Sequence, residues 1–286
     1  MWALRSTEGS NPSLSVPVVG WPLYNPEMPD PLSKSQIEQL GRRLVREDAP
    51  AAEDLASLQR LLLVRSEVLD RVVANVRGQL GVAPTSRIKN TGTILEKLRR
   101  NGGSGLKSMQ DLAGMRIVGR FDRGRQDELV ARIVELFAGE KRAPKVVDRR
   151  VAPMHGYSAV HVIVFPEGIP AEIQVRTEWQ HEWAELFEKL ADLVGRGIRY
   201  GESVAQQRGA ESLVSAGPAE RVRSLALRDL HQSIVDLALS VAQLIRSAEE
   251  AEVEIPGAEL PRTLRGDVDE ALDRLRALLG RLARLG

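Results

Sequence analysis

Apolar residues between positions 33 and 81 recur at intervals of three and four, the spacing that places side chains on one face of a helix. The clearest series runs through Leu55, Leu58, Leu62, Leu69 and Val76. The pattern predicts one short and one long amphipathic helix in this segment, each packing an apolar face against the rest of the protein.

The next segment carries positive charge at helical spacing. Residues 84–86 provide a break and an N-cap, and RIKNTGTILEKLRR at 87–100 then predicts a helix that NGGSG ends at 101–105. Its cations are Arg87, Lys89, Lys97 and Arg100. A helix rich in lysine and arginine is usually a solvated surface, so the charge alone does not indicate a site.

Strand and helix patterns mix in the middle of the chain. We predict strands at 114–121, 145–150, 158–165 and 170–176, and helices at 125–138 and 177–194. Because these elements follow an irregular order and short loops join neighbouring strands, the pattern favours an α/β (α+β) fold with a mixed sheet flanked by helices over a doubly wound sheet.

The last predicted strand has a polar face. The apolar residues of AEIQVRT at 171–177 point to one side of such a strand, and Glu172, Gln174 and Arg176 point to the other. The strand therefore predicts a carboxylate, an amide and a guanidinium side by side next to a core.

The two ends of the chain differ in composition from its middle. Six prolines in residues 1–32 predict an extended arm, and the Gly, Ser and Gln content of 195–218 predicts a loop. Two apolar stripes beyond it predict a C-terminal helical hairpin. We therefore divide the chain into an arm at 1–32, a main domain at 33–201, a linker at 202–218 and a helical region at 219–286.

Composition narrows the class of protein. The 286 residues are 43% hydrophobic, enough to bury a core, and the formal net charge of +1 gives no overall attraction to nucleic acid or membrane. The absence of cysteine excludes disulfides and thiolate metal sites. No signal peptide and no run of about 18 apolar residues is visible, so we expect a soluble cytoplasmic protein without a membrane partner.

Charged residues at the edges of the predicted sheet form a candidate site. Asp111 precedes one strand and Glu172 lies on another, so adjacent strands would bring two carboxylates together. Paired carboxylates suit Mg²⁺, and Arg116 joins the cations that could offset charge during phosphoryl transfer. The alternative is a surface ion pair between Glu172 and Arg176, worth about 0–1 kcal/mol. The two histidines that flank GYSAV lack zinc-site spacing.

Four stretches in this order, RIKNTGTILEKLRR, DLAGMRIV, HGYSAVHVIV and AEIQVRT, resemble the synthetase domain of the RelA/SpoT family over residues 85–201. The chain is most similar to the small, single-domain alarmone synthetases. The resemblance implies a nucleotidyltransferase-like fold and transfer of the β,γ-pyrophosphate of ATP to the ribose 3′-hydroxyl of GDP or GTP, which makes (p)ppGpp.

The resemblance also implies a role for each candidate residue. Asp111 resembles the principal Mg²⁺ ligand, and Glu172 the second carboxylate, which holds metal or helps to deprotonate the acceptor hydroxyl. For ATP, the implied ligands are Arg87 and Arg116 around adenine and Lys89, Lys97 and Arg100 at the phosphates. For the acceptor, the implied ligands are Tyr157, which stacks on the base, and His161, Gln174 and Arg176.

Other interpretations stay open. APMHGYSAVH departs from the PK…NGYRSLH pattern of ordinary members, and EIQVRTEWQHEW resembles toxin-type members that pyrophosphorylate the 3′ end of tRNA, block translation and pair with an antitoxin. A non-catalytic nucleotide-binding module is the third interpretation, which the retention of both carboxylates disfavours. The C-terminal helices would either assemble a homo-oligomer or fold back on the main body.

Overall fold

The computed structural model describes residues 32–207, 218–254 and 262–284. Its helices are α1 (Lys34–Arg43), α2 (Ala52–Leu80), α3 (Thr91–Arg100), α4 (Arg123–Leu136), α5 (Glu178–Val194), α6 (Val204–Gln207), α7 (Pro218–Glu254) and α8 (Arg262–Leu282). Its strands are β1 (Thr85–Ile88), β2 (Ala113–Gly119), β3 (Lys145–Asp148), β4 (Val160–Val164) and β5 (Ala171–Thr177). The predicted arm up to residue 31 and most of the predicted linker lie outside the described residues.

Five strands form one mixed sheet in the order β1-β2-β5-β4-β3. β2 and β5 run parallel, and every other neighbouring pair is antiparallel. Helices α2 and α4 pack against the central strands, whose buried residues include Met115, Ile117, Ile173 and Val175. This confirms the predicted mixed sheet flanked by helices, and none of the described helices is long and apolar enough to cross a bilayer.

The start of the predicted helix at 87–100 is wrong. Residues 85–88 form the edge strand β1, in which Arg87 lies opposite Gly114 of β2. The helix begins only after Asn90, whose side chain accepts a hydrogen bond from the backbone N–H of Thr93 at 2.8 Å. Four residues are too few to show strand alternation, so pairing with β2 decides the conformation. Arg87 therefore lies on the sheet.

The C-terminal helices pack on the main body. Helices α7 and α8 share one apolar core with α5, whose Trp183 donates from Nε1 to the carbonyl oxygen of Ala238 at 2.7 Å. Part of the predicted apolar stripe on α7 stays outside this core, since Val222 and Leu230 are exposed. The loop predicted at 195–218 includes a 3₁₀ turn, Arg196–Tyr200, and the short helix α6.

Gly156 allows α5 and α7 to approach the loop before β4. Its φ is +84°, and an added Cβ would lie 2.7 Å from Cζ2 of Trp183 and 2.9 Å from Cβ of Ala242. We expect Gly156→Ala to lower the free energy of unfolding by about 1–2 kcal/mol for the left-handed conformation and about 1–3 kcal/mol more for overpacking.

Gly168→Ala is the matched control for this prediction. Gly168 has a φ of +80° but open space around its Cα, so only the conformational part of the cost applies. Denaturant titration of both variants measures the difference. Equal losses would show that packing against Trp183 contributes nothing.

Candidate active site

A closed ring of side-chain hydrogen bonds lies on the polar face of β5. His161 lies between two partners, with Nε2 at 2.9 Å from Tyr157 Oη and Nδ1 at 2.8 Å from Glu172 Oε1. Gln174 donates to Glu172 Oε2 at 2.8 Å, and its Oε1 accepts from Arg176 at 2.8 Å. Arg176 closes the ring by donating to Tyr157 Oη at 2.7 Å. Four predicted acceptor-side residues and one predicted catalytic residue therefore form a single unit.

Strand register and one loop bring these residues together. β4 and β5 pair antiparallel with His161 opposite Gln174, so their side chains share a face. Tyr157 arrives from the loop before β4, where His155 and Gly156 have φ values of +50° and +84°. The ring of Tyr157 meets the imidazole of His161 edge-on, with centroids 5.8 Å apart. The strand alternation was predictable, but closure of the ring depends on the loop.

Glu172 is a buried carboxylate that stays ionised. Burial opposes ionisation, but the hydrogen bonds from His161 and Gln174 outweigh it, so the pKa of Glu172 lies below its usual range. Gly114 of β2 lies opposite Glu172, and a Cβ added there would lie 3.3 Å from the backbone oxygen of Glu172 and 3.9 Å from its Oε2.

The surface ion pair proposed for Glu172 and Arg176 is wrong. Both residues are buried, with 7% and 4% exposure, and Gln174 lies between them. Burial lowers the pKa of Arg176, and the positive charge of nearby Arg116 acts in the same direction. Arg176 forms no ion pair within the described residues, and its Nε has no hydrogen-bond partner there.

A second cluster surrounds Asp111 in the turn before β2. Lys89 donates from Nζ to Oδ2 at 2.5 Å, and Lys97 Nζ lies 3.6 Å from Oδ1. Burial would raise the pKa of Asp111, but the hydrogen bond from Lys89 and the charges of both lysines hold it below its usual value. The negative charge of Asp111 acts to raise the pKa of Glu172, in the same direction as burial. Both predicted carboxylates therefore have pKa values below their usual range, each stabilised in the ionised form by its hydrogen-bond donors.

The three predicted arginines of the ATP side are arranged differently from one another. Arg116 lies opposite Gln174, but its Nη1 donates to Glu185 at 2.9 Å. Arg100 places its guanidinium 4.3 Å from the ring centroid of Tyr200. Arg87 is exposed and forms no ion pair with any described residue. Of these three arginines, Arg87 is the one whose guanidinium makes no ion pair and no ring contact with a described side chain.

The carboxylates suit a hard cation that takes few protein ligands. No group of three or more histidine, aspartate or glutamate side chains among the described residues is arranged to hold a metal. Mg²⁺ usually binds through one or two carboxylates and takes its other ligands from water and substrate phosphate. Asp111 and Glu172 are ionised oxygen donors of that kind, so they fit Mg²⁺ better than a metal held entirely by protein.

Comparison with known proteins covers most of the chain. Uncharacterized protein Rv1366 of Mycobacterium tuberculosis and Uncharacterized protein Mb1401 of Mycobacterium bovis are each 33% identical to it over 247 residues, which is 85% of this chain and 85% of each relative. The family described as the region found in RelA / SpoT proteins matches residues 86–191. The chain belongs to the RelA/SpoT family. This confirms the predicted resemblance.

Solved structures of another protein are similar over a large part of this chain. Small alarmone synthetase 1 from Bacillus subtilis is 21% identical, with 75% of this chain and 98% of that chain covered and a TM-score of 0.43. Its complex with the product pppGpp is 19% identical, with coverages of 71% and 99% and a TM-score of 0.44. Its complex with AMPCPP is 20% identical, with coverages of 71% and 100% and a TM-score of 0.40.

The sequence analysis did not predict a buried polar contact between α7 and the junction of β5 with α5. Glu249 of α7, 1% exposed, accepts from Thr177 Oγ1 at 2.6 Å and from Gln180 Nε2 at 2.9 Å, and lies 3.7 Å from Arg123 Nε. Thr177 and Gln180 form the capping box of α5, a pattern visible in the sequence as TEWQ. Nothing local indicates Glu249, which is 72 residues away. The contact fixes α7 to the end of β5.

Glu249 gives a prediction about pH. Burial raises its pKa, although the hydrogen bonds from Thr177 and Gln180 and the charges of Arg123 and Arg150 oppose that effect. A raised pKa means that the folded state binds the proton more tightly, so this stabilisation is present at low pH and is lost as pH rises through the folded pKa. The melting temperature of Glu249→Gln, neutral at every pH, should therefore rise relative to that of wild type as the pH increases above about 4.3, the ordinary pKa of glutamate.

Glu220→Gln provides the control for this pH dependence, because Glu220 is exposed on the same helix. Its melting temperature should follow that of wild type across the range. A constant difference between wild type and Glu249→Gln would contradict the raised pKa of Glu249.

Proposed function

We propose that this RelA/SpoT protein is an ATP-dependent pyrophosphokinase that transfers the β,γ-pyrophosphate of ATP to the ribose 3′-hydroxyl of GDP or GTP. One observation carries the proposal. Glu172 is a buried, ionised carboxylate with one hydrogen-bond donor on each oxygen, and its pKa is influenced by the charge of Asp111, which pairs with two lysines. Membership of the family supports a transferase of this type.

The chemistry requires a base, alignment and charge neutralisation. The acceptor 3′-oxygen attacks the β-phosphorus of ATP, the bond from that phosphorus to the α-phosphate oxygen breaks, and AMP leaves. Glu172 takes the proton of the 3′-hydroxyl, since it is the ionised carboxylate on the polar face of β5. Lys89 and Lys97 offset charge on the triphosphate. No protein nucleophile is needed.

Mg²⁺ would be held by Asp111 and Glu172, and when bound it would neutralise charge on the triphosphate. In the structure Asp111 is paired with Lys89 and Lys97 instead. A cation at Asp111 would free both lysines to contact phosphate oxygens. Without substrate, both lysines would pair with Asp111. With substrate bound, they would pair with phosphate oxygens instead.

An anionic acceptor fits the other end of the ring. Arg176 is buried without an ion-pair partner in the described part of the chain, and its Nε is unpaired there. A buried guanidinium without a counter-ion is costly, and a phosphate is a chemically suitable partner for it. A nucleotide with its base on Tyr157 and a phosphate near Arg176 satisfies both residues.

The test follows the γ-phosphate. Purified protein is incubated with Mg²⁺ and γ-labelled ATP, and GDP, GTP, ATP and deacylated tRNA are offered separately. We expect label in GDP or GTP, and transfer at least about 10²-fold slower with a Glu172→Gln preparation. Label confined to tRNA would replace this proposal with the toxin interpretation and prompt a search for an antitoxin. Absence of transfer to every acceptor would leave the non-catalytic nucleotide-binding interpretation.

A further inference from the structure

With a neutral His161, the hydrogen-bond ring permits one arrangement of protons. Arginine has no acceptor, so Arg176 donates to both Gln174 Oε1 and Tyr157 Oη. The single O–H of Tyr157 is then directed at His161 Nε2, which accepts it. Ionised Glu172 only accepts, so Gln174 Nε2 and His161 Nδ1 donate to it. The carboxylate of Glu172 therefore places the hydrogen of the neutral His161 on Nδ1, which leaves Nε2 to accept from the hydroxyl of Tyr157.

Both nitrogens of His161 are therefore already used. Its side chain is 15% exposed, Nε2 is occupied by the hydroxyl of Tyr157, and Nδ1 by the carboxylate of Glu172. No polar atom of the imidazole remains for a nucleotide. This arrangement differs from the direct acceptor-binding role that the family resemblance implies for His161.

We propose that His161 is a positioning residue for Glu172. Its Nδ1–H fixes one carboxylate oxygen, Gln174 fixes the other, and the remaining lone pairs of Glu172 are directed towards the acceptor hydroxyl. The hydroxyl of Tyr157 holds the imidazole in the Nδ1–H tautomer, a role separate from the stacking of its aromatic ring on the acceptor base. The role of His161 in turnover rests on the proposed function, whereas the tautomer does not.

Two substitutions separate the nitrogens of His161. Asparagine places an amide nitrogen near the position of Nδ1, and glutamine places one near the position of Nε2. We expect His161→Asn to keep a kcat at least about tenfold above that of His161→Gln, the effect of one hydrogen bond of about 1.4 kcal/mol. The KM for the acceptor should be the same in both variants, because neither change removes an acceptor contact.

The kinetic pattern decides between positioning and binding. A raised acceptor KM with unchanged kcat in both variants would show that His161 binds the acceptor and would overturn the proposal. Equal kcat values for Asn and Gln would overturn it too, because the Nδ1 position would then have no special importance. Melting temperatures of both variants show whether a loss of turnover comes from unfolding.

A measurement on the wild-type protein needs no substrate. The chain has four histidines, and comparison with His161→Gln assigns the ¹⁵N resonances of the His161 ring. We expect a protonated Nδ1 and an unprotonated Nε2. A protonated Nε2 would overturn the hydrogen-bond assignment whether or not the protein transfers pyrophosphate. Wild-type protein that transfers to no acceptor, yet shows the Nδ1–H tautomer, would refute the proposed function and the catalytic part of this inference while leaving the ring intact.

Discussion

Replacing Glu172 with glutamine is expected to lower kcat by about 10²–10⁴-fold. Glutamine keeps the shape of the side chain but cannot take the proton of the acceptor hydroxyl. It also places an amide N–H₂ against one of two donors, His161 Nδ1–H or the Gln174 amide, at a cost of about 1–3 kcal/mol of stability. Turnover measured with saturating ATP and acceptor, together with a melting curve, separates the two effects.

The kinetic constants of Glu172→Gln also show which role the carboxylate performs. Loss of kcat at an unchanged Mg²⁺ requirement indicates the base, whereas a higher Mg²⁺ requirement indicates a metal ligand. Glu178→Gln is the control, because Glu178 lies one residue beyond β5 and its carboxylate pairs with exposed Arg120. Turnover of Glu172→Gln within about threefold of the Glu178 control would falsify both roles.

The polar face of β5 was predictable, and its hydrogen-bond ring was not. Period-two alternation alone places Glu172, Gln174 and Arg176 on one side of a strand. The ring needs the antiparallel register that sets His161 opposite Gln174 and the left-handed loop that delivers Tyr157. Both depend on contacts between segments, so no local window of the sequence contains them.

The errors have the same physical origin. The edge strand β1 was mistaken for the start of α3 because its conformation comes from pairing with β2. Helix α7 was predicted from its apolar residues, yet its contact with the end of β5 is made by Glu249, a residue that local patterns place on a solvated surface. Local pattern located the elements, and tertiary contacts determined which charged residues work together.

Asp111→Asn is expected to lower kcat by at least about 10²-fold, because it removes the carboxylate proposed to hold Mg²⁺ beside the lysines. The same change leaves Lys89, with a side chain 14% exposed, without its carboxylate partner. Its cost in stability should lie between the about 0–1 kcal/mol of an exposed pair and the about 3–5 kcal/mol of a broken buried pair. A double-mutant cycle with Lys89→Met, measured by denaturant unfolding, isolates that coupling.

Asp192→Asn is the matched control, since Asp192 also lies between two cations, at 3.2 Å from Arg196 Nε and 3.6 Å from Arg199 Nη2, but is 56% exposed. It should change stability by less than about 0.5 kcal/mol and leave turnover unaltered. If Asp111→Asn destabilises the protein but keeps the wild-type kcat and Mg²⁺ requirement, Asp111 is only the ion-pair partner of its lysines. Loss of turnover that exceeds any loss of folded protein would instead establish that the carboxylate acts on the substrate or its metal.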